Sequence, residues 1–168
     1  MRYGSLALSG VELREGGQYD TEDTVIKMEN IVNENISTVI TKSSFYDCKS
    51  YCFMADNTLN TELTQNVFYK GRLFHVQANN IQSFTFTQNL MIAATRRPTL
   101  SADELITCYA TWTAIHDDNV NIRNNICQGS HLHGFVLPHI PCSSLSNSPY
   151  TNNTVGSASV GFIFNIIG

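Results

Sequence analysis

Apolar and polar positions alternate in short bursts along this chain, and the bursts recur in one frame. Leu63-Thr64-Gln65-Asn66-Val67-Phe68 returns 23 residues later as Phe86-Thr87-Gln88-Asn89-Leu90-Met91. The frame also fits Ile40-Thr41-Lys42-Ser43-Ser44-Phe45, with Ser in place of Asn. It fits again at Ile122-Arg123-Asn124-Asn125-Ile126-Cys127 and at Tyr150-Thr151-Asn152-Asn153-Thr154-Val155. Starts at 40, 63, 86, 122 and 150 give steps of 23, 23, 36 and 28. A recurring unit of this length predicts stacked coils and moves the functional question from a buried pocket to a long surface.

Three columns share the register. Five positions after each start lie Phe45, Phe68, Met91, Cys127 and Val155, all apolar. Eight positions after lie Cys48, Gly71, Ala94, Ser130 and Ala158, all small; thirteen after lie Phe53, Val76, Phe135 and Ile163, with the third coil interrupted. About 23 residues suit one rung of a parallel β-helix, in which apolar columns merge into a core and small residues allow close backbone approach. Asn tolerates left-handed turns and can pair amide to amide between rungs, so the Asn column reads as structural rather than ligand-binding. A leucine-rich repeat has a similar period but requires Leu at several fixed sites, where this chain places Phe, Val, Ile and Thr. The expected fold is all-β, a right-handed parallel β-helix of about five coils with one helical or loop insertion. It forms a single domain over 1–168 and reads as part of a longer rod, because no charged or proline-rich cap covers its ends.

Composition supports that fold and removes some functions. Hydrophobic residues make up 42% and charged residues only 14%, so Asn, Ser and Thr do the work of the surface. A net charge of −4 without a basic run argues against nucleic acid as a partner. No apolar stretch reaches the length of a membrane span, so no membrane contact by this segment is expected. Nucleotide loops and nucleophile elbows do not occur, and no cofactor is expected.

Five cysteines and two sequons point to an extracellular or cell-surface location. In a secreted chain the sequons make Asn35 (Asn35-Ile36-Ser37) and Asn152 (Asn152-Asn153-Thr154) candidate glycosylation sites. Cys48 with Cys52 and Cys108 with Cys142 are candidate disulfides, while Cys127, in an apolar column, reads as a buried free thiol.

The register breaks after Ala94, and 95–118 reads as an insertion. Ser101 and Glu104 have capping-box spacing ahead of Leu105, Ile106, Tyr109 and Trp112, which predicts a short helix or ordered loop packed on the rod. Excursions from a rigid scaffold are frequent sites of function.

The strongest candidate chemistry is His116-Asp117-Asp118 followed by His131 and His133. Paired carboxylates with a later histidine resemble the layout of polygalacturonase-type glycosidases, which need one carboxyl as acid and one as base. That family's further Asn-Thr-Asp and Arg-x-Lys elements are missing here. A metal could use His131, His133 and His139 with Asp117 or Asp118. His133, however, occupies the column of Tyr51 and Phe74, so packing is the preferred reading and no metal is expected. Tyr69 and Tyr150 keep open a carbohydrate-binding module without catalysis.

Several phrases together resemble the fibrocystin family: Gly10-Val11-Glu12-Leu13 with Gly16-Gly17-Gln18-Tyr19-Asp20-Thr21, Asn89-Leu90-Met91-Ile92 to Arg97-Pro98-Thr99, and Cys108-Tyr109-Ala110-Thr111-Trp112. Gln128-Gly129-Ser130 leading to His133-Gly134-Phe135-Val136-Leu137-Pro138 and Cys142 belongs with them. The resemblance spans about residues 10 to 165. It implies the parallel β-helix (PbH1) repeat region of a large single-pass ciliary or cell-surface glycoprotein, a non-enzymatic structural or receptor-ectodomain module. Implied partners are extracellular proteins or glycans and flanking domains of the same chain. A related branch of β-helical hyaluronidases keeps a carbohydrate-active alternative using Asp117, Asp118 and His131 or His133.

Overall fold

A computed structural model describes residues 5–18, 23–94, 107–110, 120–138 and 150–165. Every regular element among them is a strand. The first rung supplies β1 (Leu6–Ser9), β2 (Glu12–Arg14) and β3 (Ile26–Ile31); β4 (Thr38–Thr41) and β5 (Ser44–Tyr46) follow. Two long strands, β6 (Phe53–Thr64) and β8 (Phe74–Thr87), flank the short β7 (Val67–Tyr69). Then come β9 (Leu90–Ile92), β10 (Thr107–Ala110), β11 (Asn121–Arg123), β12 (Ile126–Gln128) and β13 (His133–Pro138). The last rung holds β14 (Tyr150–Thr151), β15 (Thr154–Gly156) and β16 (Val160–Asn165).

All pairings between these strands are parallel, within a ten-stranded and a six-stranded sheet, as in a parallel β-helix. The larger sheet runs β1-β4-β6-β8-β10-β13-β16, with β3 beside β6 and with β8 and β14 on either side of β11. The smaller runs β15-β12-β9-β7-β5-β2. The repeat frame is the register itself, because Ile40 pairs with Leu63, Leu63 with Phe86, Phe86 with Ile122 and Ile122 with Tyr150. Five positions on, Phe45, Phe68, Met91, Cys127 and Val155 pair in the same order. Ile40, Phe45, Leu63, Phe68, Phe86, Met91 and Ile122 are fully buried, so these columns form the core.

Stacking repeats each contact from rung to rung, so identical rings meet face to face. Phe45 stacks on Phe68 with centroids 4.8 Å apart, and Tyr46 on Tyr69 at 5.1 Å. Such spacing matches that of adjacent strands and adds to area burial about 0.5–1.5 kcal/mol per pair.

The structure revises the frame in four places. An earlier rung begins at Leu8, which pairs with Ile40, and Leu13 pairs with Phe45. The interval 95–118 is not wholly an insertion, because Thr107–Ala110 is a strand between β8 and β13. Tyr109 pairs with both Val76 and Phe135 and fills the core position missing from the third coil. Tyr109 is therefore part of a sheet, not of a helical stripe; the helix signal at Ser101 and Glu104, with Trp112, lies outside the described residues. In the last rung Phe162, not Ile163, pairs with Phe135, since that rung is one residue shorter between Gly156 and Val160.

The cysteine pairing also changes. Cys48 joins Cys52 as expected, but Cys108 joins Cys127, not Cys142, so Cys127 is not a free thiol. The cause is the placement of β10 in the third rung, which brings Cys108 on the larger sheet across the core from Cys127 on the smaller. Cys142 lies outside the described residues.

Candidate functional site

The most developed polar arrangement is the column three positions after each start. Asn66 is buried; its amide nitrogen donates to the Ile40 carbonyl at 2.8 Å and its oxygen accepts from the Ser43 N–H at 3.0 Å. Asn89 repeats this on the Leu63 carbonyl (2.8 Å) and the Asn66 N–H (2.9 Å). Asn125 does so on the Phe86 carbonyl (2.8 Å) and the Asn89 N–H (3.0 Å), and Asn153 on the Ile122 carbonyl (2.8 Å) and the Asn125 N–H (3.1 Å). Neighbouring amides also bond directly, Asn89 to Asn125 at 3.1 Å and Asn125 to Asn153 at 2.9 Å. Ser43 ends the ladder: its hydroxyl accepts from the Val11 N–H at 3.2 Å and donates to the Thr41 carbonyl at 2.8 Å. Each amide thus meets backbone groups that a buried turn would otherwise leave unpaired.

The left-handed residue at this corner is the one before the ladder. Lys42, Gln65, Gln88, Asn124 and Asn152 all have φ between 49° and 58°. A second left-handed column follows each short strand, at Glu15, Asp47, Lys70, Ala93, Gly129 and Ser157. Four Asn residues take the same conformation within strands, Asn30 in β3, Asn57 and Asn60 in β6 and Asn80 in β8, as does Ser83 in β8.

Of the candidate cluster, His131 and His133 lie among the described residues. His131 is exposed, its N–H donating to the Ala94 carbonyl at 3.0 Å. His133 pairs in register with Thr107 and Val160, and Thr107 with Phe74, which puts it in a packing column. It is half-buried, burial lowers its pKa, and its Nδ1 has no hydrogen-bond partner. His116, Asp117, Asp118 and His139 lie outside the described residues. Among the described residues no group of three or more His, Cys, Asp or Glu is placed to hold a metal ion.

Tyr69 does not offer an open ring face to a sugar. It stacks on Tyr46 at 5.1 Å, with Lys70 over both rings and Arg14 over Tyr46. Tyr150 is half-buried against the core, and burial raises its hydroxyl pKa. The sequon asparagines are different. Asn35 sits in an exposed turn, where its N–H donates to Asn33 Oδ1 at 3.0 Å, and Asn152 is exposed at a left-handed corner.

Sequence reasoning assigned nothing to His75, which proves to be fully buried with Nε2 accepting the Gly71 N–H at 3.0 Å. A signal was available, since Gly71 and His75 occupy the frame positions of Cys48 and Cys52 one rung earlier. No protein-family model, no curated protein and no solved structure matches the chain.

Proposed function

We propose that the chain is a non-enzymatic extracellular scaffold, a structural and interaction module of a fibrocystin-like ciliary or cell-surface glycoprotein. In this reading it is a right-handed parallel β-helix whose coils begin at Leu8, Ile40, Leu63, Phe86, Ile122 and Tyr150. Right-handed connection between parallel strands is the sterically favoured one. The observation that carries the proposal is the ladder. The ladder amides of Asn66, Asn89, Asn125 and Asn153 are spent inside the stack, bonding rung to rung. Two disulfides and two exposed sequon asparagines suit an oxidising, glycosylating compartment. Its partners are extracellular proteins or glycans and flanking domains of the same chain.

The test is incubation of the purified protein with hyaluronan and with pectic polymers, followed by sizing of the chains. No shortening is expected. Cleavage abolished by Asp118→Asn would overturn the scaffold reading in favour of a carbohydrate-active one.

A further inference from the structure

Tyr46 and Tyr69 are held as a pair by the smaller sheet, one rung apart and in register on β5 and β7. Phe45 and Phe68 precede them and are fully buried in the core, so along an alternating strand the two phenols take the outward face. Their ring centroids lie 5.1 Å apart with 27° between the planes, and both residues are half-buried. Lys70 Nζ lies 5.9 Å from the Tyr46 centroid and 5.4 Å from that of Tyr69. The Arg14 guanidinium covers Tyr46 at 5.1 Å, so cations brace the pair.

No other ring stack among the described residues joins two phenols. Tyr51 rests on Phe74, and Tyr150 contacts Phe164. Tyr109 lies among Phe86 and Phe135 and is fully buried. A phenylalanine ring has no hydroxyl hydrogen to give up, and a fully buried phenol is closed to an oxidant in solution. Among the described residues, Tyr46 and Tyr69 alone combine two oxidisable rings, close approach and access from solvent.

We propose that Tyr46 and Tyr69 form an oxidative cross-linking site, at which a haem peroxidase with hydrogen peroxide joins the two rings as dityrosine and staples their rungs. Each phenol loses its hydroxyl hydrogen as a proton and an electron. The two phenoxyl radicals carry part of their unpaired spin on the ring carbons beside the C–O bond. One such carbon from each ring forms the new C–C bond. The hydrogen on each coupled carbon then leaves as a proton and each oxygen regains one, which restores both phenols. Hydrogen peroxide takes up the two hydrogen atoms and becomes two waters. Register supplies the rate, because the neighbouring ring stands at an effective concentration that no second molecule in dilute solution matches. Rotation about the broad terminal ring torsions brings the coupling carbons together. The bond closes a separation of 23 residues, from 46 to 69, and constrains the unfolded chain as a disulfide does. The inference needs only the register of β5 and β7, and not the compartment or the scaffold role proposed above.

The purified protein in dilute solution, treated with a haem peroxidase and hydrogen peroxide, should lose the mass of two hydrogens while staying a monomer, and should gain dityrosine fluorescence. After reduction of the disulfides, the tryptic peptides 43–49 and 50–70 should remain joined. Tyr69→Phe keeps the ring and its stacking, and should abolish the joining; Tyr51→Phe, in the same peptide, should leave it intact. The coupled protein should unfold at higher urea than Tyr69→Phe treated alike. No loss of mass, coupling found only between molecules, or peptides still joined in Tyr69→Phe would overturn the proposal. So would a coupled protein no more resistant to urea than that variant. Polymer cleavage judges the scaffold reading separately, so the two can fail independently.

Discussion

The backbone N–H of Gly71 donates to Nε2 of His75 at 3.0 Å inside a fully buried turn. A Cβ on Gly71 would lie 2.5 Å from His75 Cδ2, so the ring occupies the space that glycine leaves. One rung earlier the same two frame positions are Cys48 and Cys52, joined as a disulfide. In these two rungs the small position is met by a side chain four residues further on.

His75 makes the fold acid-sensitive. Burial pushes its pKa down to about 3, the backbone at Ile92 opposing this only in part, and Nδ1 has no close hydrogen-bond partner. With Nε2 accepting a hydrogen bond, the neutral ring carries its proton on Nδ1. The unfolded chain takes up a proton near the ordinary value of 6.5 while the folded chain resists until about 3. The stability contributed is thus complete above pH 6.5 and lost as pH falls towards 3, by about 4 kcal/mol. Urea unfolding at pH 7, 5 and 3.5 should show this loss, and His75→Gln should flatten it. A variant as acid-sensitive as the parent would place the titrating group elsewhere.

Asn89→Ala should be far more damaging than its size suggests. It strips an acceptor from the Asn66 N–H and a donor from the Leu63 carbonyl, both in the core. Unpaired buried backbone groups cost about 1–3 kcal/mol each, so a loss of about 2–4 kcal/mol is expected in urea unfolding. Asn152→Ala, one position before the ladder and exposed, should cost about 1 kcal/mol or less, mainly through its left-handed φ of 55°. Equal losses for the two variants would contradict the ladder's importance.

Peptide mapping without reduction should recover Cys108 linked to Cys127 and Cys48 linked to Cys52. The first pair closes a sequence separation of 19 and the second one of 4. Loop-closure entropy then gives about 3 kcal/mol for the former and about 2 kcal/mol for the latter. Replacing Cys108 and Cys127 together by Ala should lower the unfolding midpoint more than replacing Cys48 and Cys52. Recovery of a Cys108–Cys142 peptide would refute the pairing.

Secreted from a glycosylating cell, the protein should carry glycans on Asn35 and Asn152. Ser37→Ala and Thr154→Ala should each remove one step of gel mobility, and the double variant both. Thr154→Ala leaves the left-handed Asn152 corner untouched, so folding is unaffected. No mobility change on enzymatic deglycosylation would count against a secretory route.

The rungs starting at Ile40, Leu63, Phe86, Ile122 and Tyr150 were readable in the chain because each makes the same contacts as its neighbours. Repeated contacts demand repeated residue types, and Phe45, Phe68 and Met91 show that demand directly. The rung at Leu8 escaped notice because it stands 32 residues before Ile40 and replaces the ladder Asn with Val11. At Asn66 and Asn89 the ladder was legible as a turn residue, but not which carbonyl each amide would reach. Of the candidate site, the packing column of His133 was visible in the frame, whereas the trapped ring of His75 was not, since one histidine carries no periodicity.

Frame, strand class and core columns follow from the order of residues alone, because apolar spacing and turn chemistry act over a few residues. Folding in three dimensions settled the rest: Tyr109 entering the third rung from beyond a register break, Phe162 displacing Ile163, and Cys108 finding Cys127. Those outcomes depend on which strands lie side by side. Side-by-side placement is fixed by long-range hydrogen bonding and core packing, whose partners are separated along the chain by intervals that no local pattern records.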